Sequence, residues 1–216
     1  MMRGAIFDLD GTLIDSMGVW EDLGSRYVRG FGLEPDRELD RILAPLSLEE
    51  GAAHIRDRYR LPLSAGAIRD GMAALMRDYY YREAQTKPSA PEFLHLLKER
   101  GIPMAVATAG DRDNAEHALA RLGLLTLFRG IVTCTEIGTG KDRPEVYLAA
   151  ADLLGETPEK ICVFEDAAYA LRTAKRAGFY AVGVEDFYSL NEREQLEEVS
   201  DIYLAGWEDA GQALGL

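Results

Sequence analysis

Met1-Met2-Arg3-Gly4-Ala5-Ile6-Phe7-Asp8-Leu9-Asp10-Gly11-Thr12-Leu13-Ile14-Asp15 opens the chain. The apolar run Ala5-Ile6-Phe7 leads into two carboxylates one residue apart, and then into a glycine. A buried parallel strand reads as a continuous apolar run. Residues i and i+2 of an extended segment point to the same face, so Asp8 and Asp10 are expected side by side where the strand ends. Two adjacent carboxylates repel unless a cation sits between them or one takes a proton. Hard divalent cations with oxygen ligands suit such a site, Mg²⁺ especially when a phosphate shares the coordination. Gly11 lets the backbone turn sharply just after the pair. Asp-x-Asp-Gly also occurs in surface turns and calcium loops. A calcium loop needs a ladder of further oxygen ligands, however, and Thr12 and Ile14 stand where that ladder would continue. The apolar run in front argues against a solvated turn.

Working outward, 216 residues suffice for one large domain, or for one domain with an inserted module. A content of 47% hydrophobic and 28% charged residues excludes wholesale disorder. The net charge of −13 disfavours nucleic acid and anionic membranes as partners. It also means that an anionic substrate needs a local positive site. The two cysteines, Cys134 and Cys162, do not make a disulfide scaffold in a chain of this size. Cys162 lies in the apolar run Ile161-Cys162-Val163-Phe164, where it reads as a small buried hydrophobe. No apolar run approaches membrane-spanning length, and Asp8 and Asp10 interrupt any signal-peptide core. A cytoplasmic protein is expected.

From Asp15 to Gln85 apolar residues recur at helical spacing. Trp20, Leu23, Tyr27, Val28 and Phe31 form one stripe, ending at Gly32. Leu39, Ile42 and Leu43 form a second, stopped by Pro45. Ser47-Leu48-Glu49-Glu50 is a capping box that opens a third helix with Ile55 and Tyr59. Ile68, Met72, Leu75, Met76 and Tyr79 make a fourth. Four amphipathic helices read as a small helical module. From Lys87 onward helix and strand alternate, the signature of a parallel sheet. Strands are expected over 102–107, 130–133, 161–164, 180–184 and 201–204, with a solvated helix within 185–200. Helices are opened by Pro91, Asp111 and Pro144, and closed by Gly101, Gly123 and Gly178. The expected fold is α/β: a Rossmann-like parallel sheet core (1–15 and 87–216) with helices on both faces and an inserted helical domain (16–86). The two joins would be hinges.

Ligands of an open parallel sheet bind beyond the carboxyl ends of its strands. The first strand ends at Asp8 and Asp10, and the strand Met104-Ala105-Val106-Ala107 ends at Thr108-Ala109-Gly110. Ile161-Cys162-Val163-Phe164 ends at Glu165-Asp166, and the loop Gly138-Thr139-Gly140-Lys141 precedes the helix at Pro144. Each has an ordinary reading as a polar strand end, a solvated lysine or an N-cap that favours the helix dipole. Their joint occurrence points instead to a site of carboxylates, a hydroxyl and an ammonium. The Thr108 hydroxyl with the amides of Ala109 and Gly110 would supply donors for a phosphate. Gly138 and Gly140 read as loop flexibility. His54, His95 and His117 fall on expected helices at no ligand-like spacing.

These residues, Asp8-Leu9-Asp10-Gly11-Thr12-Leu13, Thr108, Gly140-Lys141 and Phe164-Glu165-Asp166, resemble in order and spacing the four motifs of the haloacid dehalogenase-like superfamily. The helical insert resembles the cap of its β-phosphoglucomutase-like phosphatase group. The resemblance implies that Asp8 attacks phosphorus and forms an aspartyl-phosphate. It implies that Asp10 protonates the leaving oxygen and then takes a proton from water. Mg²⁺ would be held by Asp8, the backbone carbonyl of Asp10 and Asp166, with Glu165 in or beside that shell. Thr108, the nearby amides and Lys141 would stabilise charge on the phosphoryl group. Retention of Asp10 points to phosphoryl chemistry rather than dehalogenation.

The sequence also departs from the group's sugar-phosphate mutases. Trp20 stands where they resemble one another in carrying a histidine, and Ala44-Pro45-Leu46-Ser47 lacks their cap arginine. Asp142 follows Lys141 where proline is usual. A Mg²⁺-dependent phosphatase acting on a small phosphorylated metabolite is the expected function. A sugar-phosphate mutase is the alternative, and a non-catalytic phosphometabolite-binding protein comes third.

Overall fold

The computed structural model describes residues 2–44 and 46–216. Met1 and Pro45, the latter read above as a helix stop, lie outside the described residues. The chain divides into two compact units, Met1–Asp15 with Ala84–Leu216, and Ser16–Glu83.

The first unit is built on six strands: β1 (Gly4–Phe7), β2 (Met104–Thr108), β3 (Phe128–Thr133), β4 (Ile161–Glu165), β5 (Tyr180–Val184) and β6 (Ile202–Leu204). All pairings are parallel, and the order across the sheet is β3-β2-β1-β4-β5-β6. This is the α/β Rossmann-like sheet the sequence predicts. β1 is hydrogen-bonded on both edges and every one of its residues is buried, which is why it reads as an unbroken apolar run. β2 starts at Met104 rather than Ile102, since Pro103 has no N–H for the ladder. The chain steps outward from β1 to β3 and then returns to β4, on the other side of β1. That reversal opens a crevice at the carboxyl end of β1.

Both faces of the sheet are covered. On one face Ile6, Ala105 and Val163 pack with Val146, Tyr147 and Leu171 from the helices at Glu145–Leu154 and Ala168–Arg176. On the other, Phe7 stacks on Phe164 with ring centroids 4.5 Å apart, and Phe93 and Trp207 complete the cluster. Phe93 comes from the helix Ala90–Glu99, which has proline in its first turn. The acidic stretch after β5 contains the helix expected of it, with Glu194, Glu197 and Glu198 exposed. It forms a 3-10 turn, Phe187–Glu192, and then a helix, Arg193–Val199, whose Leu196 and Val199 are buried.

The return from the second unit comes at Ala84, three residues before the sequence-based boundary. Residues 85–87 pair with 13–15: Asp15 N–H donates to the Gln85 carbonyl, and Lys87 N–H to that of Leu13. That ladder joins the segment to the sheet unit.

The second unit is helical, with helices at Met17–Glu21, Leu23–Arg29, Leu39–Leu43, Leu48–Tyr59 and Ala65–Arg82. The stripe read as one helix from Trp20 to Phe31 is two helices interrupted at Asp22, and both end residues are largely exposed. The capping box forms as read: Glu50 N–H donates to Ser47 Oγ, and Ser47 N–H to the Glu50 carboxylate. Ile68, Met72 and Met76 are buried on the last helix, joined by Tyr80 rather than Tyr79. No helix among the described residues is long and apolar enough to cross a membrane.

Candidate active site

Four sequence-predicted residues meet at the carboxyl ends of β1 and β4. Asp8 extends the β1 ladder by one bond, its N–H donating to the Phe164 carbonyl at 3.0 Å. Glu165 is the last residue of β4, and Asp166 follows it. One carboxylate oxygen from each of Asp8, Glu165 and Asp166 lies within 4.8 Å of the others, and all three residues are buried. Lys141, 5% exposed, places its Nζ between Asp8, with which it pairs closely, and Glu165 Oε1 at 2.6 Å.

The carboxylates are held by donors that sequence reasoning did not find. Tyr147 donates its hydroxyl to Glu165 Oε1 at 2.9 Å, and Ala167 N–H donates to Oε2 at 3.3 Å. Thr12 Oγ1 donates to Asp166 Oδ1 at 3.0 Å, and Ser189 Oγ to Oδ2 at 3.3 Å. Thr12 is itself pinned by Trp207, whose indole N–H donates to the Thr12 carbonyl at 3.2 Å. The aromatic cluster under the sheet thus anchors the turn that carries a site hydroxyl. Thr12 lies inside the first motif and could have been noticed as its next polar side chain. Tyr147 shows only as an aromatic on a core-facing stripe, and nothing in the sequence marks Ser189.

Burial dominates the electrostatics. It pushes the Asp8 carboxyl well above the usual range, against the opposing pull of the Lys141 charge. It pushes Asp166 up to about 7, aided by the Glu165 charge and opposed by the Thr12 hydrogen bond. For Lys141 burial acts to lower the ammonium pKa, but the Asp8 and Glu165 charges outweigh it and raise the pKa. Tyr147 is raised by burial and by Glu165, and so remains a proton donor. Three ionised carboxylates beside one ammonium leave two negative charges buried, a costly arrangement unless offset. Hard oxygen donors with an excess of two negative charges fit a divalent cation. Asp8, Glu165 and Asp166 together are the carboxylates placed to hold one.

The side chain of Asp10 does not join that cluster. β1 ends at Phe7 and the chain turns at Gly11 (φ +81°), with Leu13 and Ile14 N–H both donating to the Leu9 carbonyl. The Asp10 charge still acts on Asp8 and helps raise its carboxyl. Asp10 approaches the end of β2. A Cβ placed on Gly110 would lie 3.1 Å from Asp10 Oδ2 and 3.2 Å from Thr108 Oγ1, so glycine suits this close approach. Gly110 N–H donates to Thr108 Oγ1 at 2.9 Å. That amide is engaged rather than free for a ligand, while the Thr108 hydroxyl keeps its own proton to give. Ala109 is exposed beside it, just before the helix Arg112–Arg121, which Asp111 caps. None of the three histidines belongs to the acidic cluster.

Comparison with known proteins fits this geometry. The model of the haloacid dehalogenase-like hydrolases matches residues 2–178. The validoxylamine A 7'-phosphate phosphatase of Streptomyces hygroscopicus subsp. limoneus is 34% identical over 192 residues, 85% of this chain and 86% of that protein. A phosphorylated carbohydrates phosphatase of Thermotoga maritima is 28% identical over 204 residues, 94% of each chain. Among solved structures, a candidate β-phosphoglucomutase from Thermotoga maritima superposes with a TM-score of 0.87 at 27% identity, over 99% of both chains.

Proposed function

The chain belongs to the haloacid dehalogenase-like hydrolases, and on that premise we propose that it is a cytoplasmic, Mg²⁺-dependent phosphatase of a small phosphorylated carbohydrate or similar metabolite. The observation that carries the reading is the buried Lys141 ammonium between Asp8 and Glu165. Its charge opposes the burial that raises the Asp8 carboxyl, and so favours the ionised, nucleophilic form.

The proposed reaction has two displacements. An Asp8 carboxylate oxygen attacks phosphorus, the bond to the substrate's ester oxygen breaks, and Asp10 gives that oxygen its proton. Asp10 then takes a proton from water as that water attacks the aspartyl-phosphate, releasing phosphate and restoring Asp8. The Thr108 hydroxyl and Lys141 stabilise charge on the phosphoryl oxygens during both transfers. Lys141 also offsets the repulsion between Asp8 and an incoming dianion. Asp8, Asp166 and the Asp10 carbonyl would hold Mg²⁺, which when bound neutralises negative charge on the phosphoryl group. The Asp10 side chain, outside the acidic cluster and next to Thr108, is the group assigned to proton transfer.

The names of the two curated relatives support a sugar-like substrate, and the net charge of −13 supports a small molecule over a polyanion. The name of the superposed Thermotoga structure favours a second reading, a sugar-phosphate mutase. A mutase must hold a second phosphate with cations, and three arginines of the helical unit are engaged in ion pairs within it. Arg58 pairs with Asp36, Arg56 with Asp57, and Arg69 with Glu49 and Asp70. The unit's own cavity, about 250 Å³, has Glu21 and Asp40 in its lining and no lysine or arginine among the described residues that line it.

Phosphate release from a panel of sugar phosphates, nucleotides and small acid phosphates, with and without Mg²⁺, tests the proposal. Metal-dependent release that Asp8→Asn abolishes is the expected result. No release from any compound would overturn it, and interconversion of β-glucose phosphates dependent on a bisphosphate would establish the mutase instead.

A further inference from the structure

The phenol of Tyr147 is not explained by packing. The residue is fully buried within the core layer formed by Ile6, Val146, Ala150 and Val163, with its ring 6.2 Å from that of Phe179. Phenylalanine would fill the same space without a polar atom to satisfy, and a hydroxyl buried without a partner costs free energy. The hydroxyl has a partner, Glu165 Oε1, and shares that oxygen with Lys141 Nζ. Lys141 and Tyr147 stand six residues apart, on the loop and the helix Glu145–Leu154 that follows it. One continuous segment thus delivers both donors to one carboxylate oxygen. The ammonium also lies 6.0 Å from the centroid of the Tyr147 ring.

We infer that Tyr147 is a positioning residue whose hydroxyl fixes the Glu165 carboxylate, and so sets where Lys141 stands against Asp8. The inference rests on the phosphatase reading, in which Lys141 stabilises the transferring phosphoryl group. Two donors on Oε1 hold the carboxylate's rotation and divide its hydrogen-bonding capacity. With the phenol gone, Oε1 keeps Lys141 alone, the carboxylate turns toward it, and the ammonium is drawn away from Asp8. The consequence falls on the transition state, where charge on the phosphoryl oxygens is greatest, rather than on ground-state binding.

Tyr147→Phe deletes the hydroxyl and keeps the ring, its core contacts and its face toward the ammonium. Two readouts decide the matter: the side-chain ¹⁵Nζ resonance of Lys141 in ¹⁵N-lysine-labelled protein, assigned by its loss in Lys141→Met, and steady-state kinetics with Mg²⁺. The Lys141 signal is expected to move. The kcat should fall about tenfold, the scale of one hydrogen bond to a charged group, with KM changed less than about twofold. In a Glu165→Gln background the same substitution should change kcat less than about twofold, because the residue through which Tyr147 acts is already altered. An unmoved Lys141 signal, or kcat losses that multiply in the double variant, would overturn the inference; a purely structural role would lower thermal stability without either effect. If the wild-type protein releases no phosphate from any compound, the phosphatase reading fails, and the Lys141 signal alone decides whether Tyr147 positions it.

Discussion

Lys141→Met removes the ammonium that lies between Asp8 and Glu165 while keeping most of the side-chain volume. The Lys141, Asp8 and Glu165 side chains are 4%, 7% and 1% exposed, so water cannot replace the lost partner. Removing one member of a buried ion pair costs about 3–5 kcal/mol, because a charge is left uncompensated. At about 2–4 °C per kcal/mol for a chain of this size, the Tm of the sheet unit should fall by roughly 6–20 °C. The assay is differential scanning calorimetry in a chelator at neutral pH, with Lys160→Met as the control. Lys160, whose side chain is 47% exposed and lies 3.7 Å from Glu156, should cost under about 1 kcal/mol. Excess Mg²⁺ should recover part of the Lys141→Met loss, since a cation can offset the same carboxylates. The kcat of this variant should fall on the order of a hundredfold. A Lys141→Met protein no less stable than Lys160→Met would refute the reasoning, for the buried carboxylates would then not depend on the ammonium.

In the metal-free protein Asp166 should act against stability at high pH. Its folded pKa of about 7 lies above its ordinary value of 3.8, so the folded state binds a proton more tightly than the unfolded chain. The associated stability is fully present below about pH 4 and lost as pH rises through about 7. Asp166→Asn should therefore be more stable than wild type in a chelator at about pH 8, with the gap closing toward about pH 4; a gap that ignores pH would refute this. The two thiols should resist labelling in the native state, because burial pushes Cys162 up to about 12 and raises Cys134 as well. Reaction of either with a disulfide reagent at the rate found in denaturant would count against their placement.

Much of the sheet was legible because buried parallel strands announce themselves twice, as apolar runs and as runs punctuated by Gly, Pro and capping residues. β1 is the clearest case: four buried residues, then Asp8. The acidic cluster was legible for the same reason, since its members stand at strand ends that topology brings together. What alternation could not show was the turn at Gly11, beyond the pair, and the approach of the Asp10 side chain to Gly110 and Thr108. Nor could spacing show that Gly110 N–H is already bonded to Thr108, a contact set by local backbone geometry. The break at Asp22 escaped because the apolar stripe runs through it, with neither glycine nor proline at Asp22 or its two chain neighbours. Trp207, Tyr147 and Ser189 reach the site or its supports through contacts between residues far apart in the chain, which leave no periodic trace.

Covalent phosphorylation of Asp8 is the step on which the account turns. Rapid acid quench during turnover of the preferred substrate, followed by peptide mass mapping, reads it directly. The account predicts one phosphoryl group on the peptide that contains Asp8, present with Mg²⁺, absent with a chelator and absent in Asp8→Asn. Sustained phosphate release with that peptide unmodified at every quench time, or undiminished release by Asp8→Asn, would contradict it.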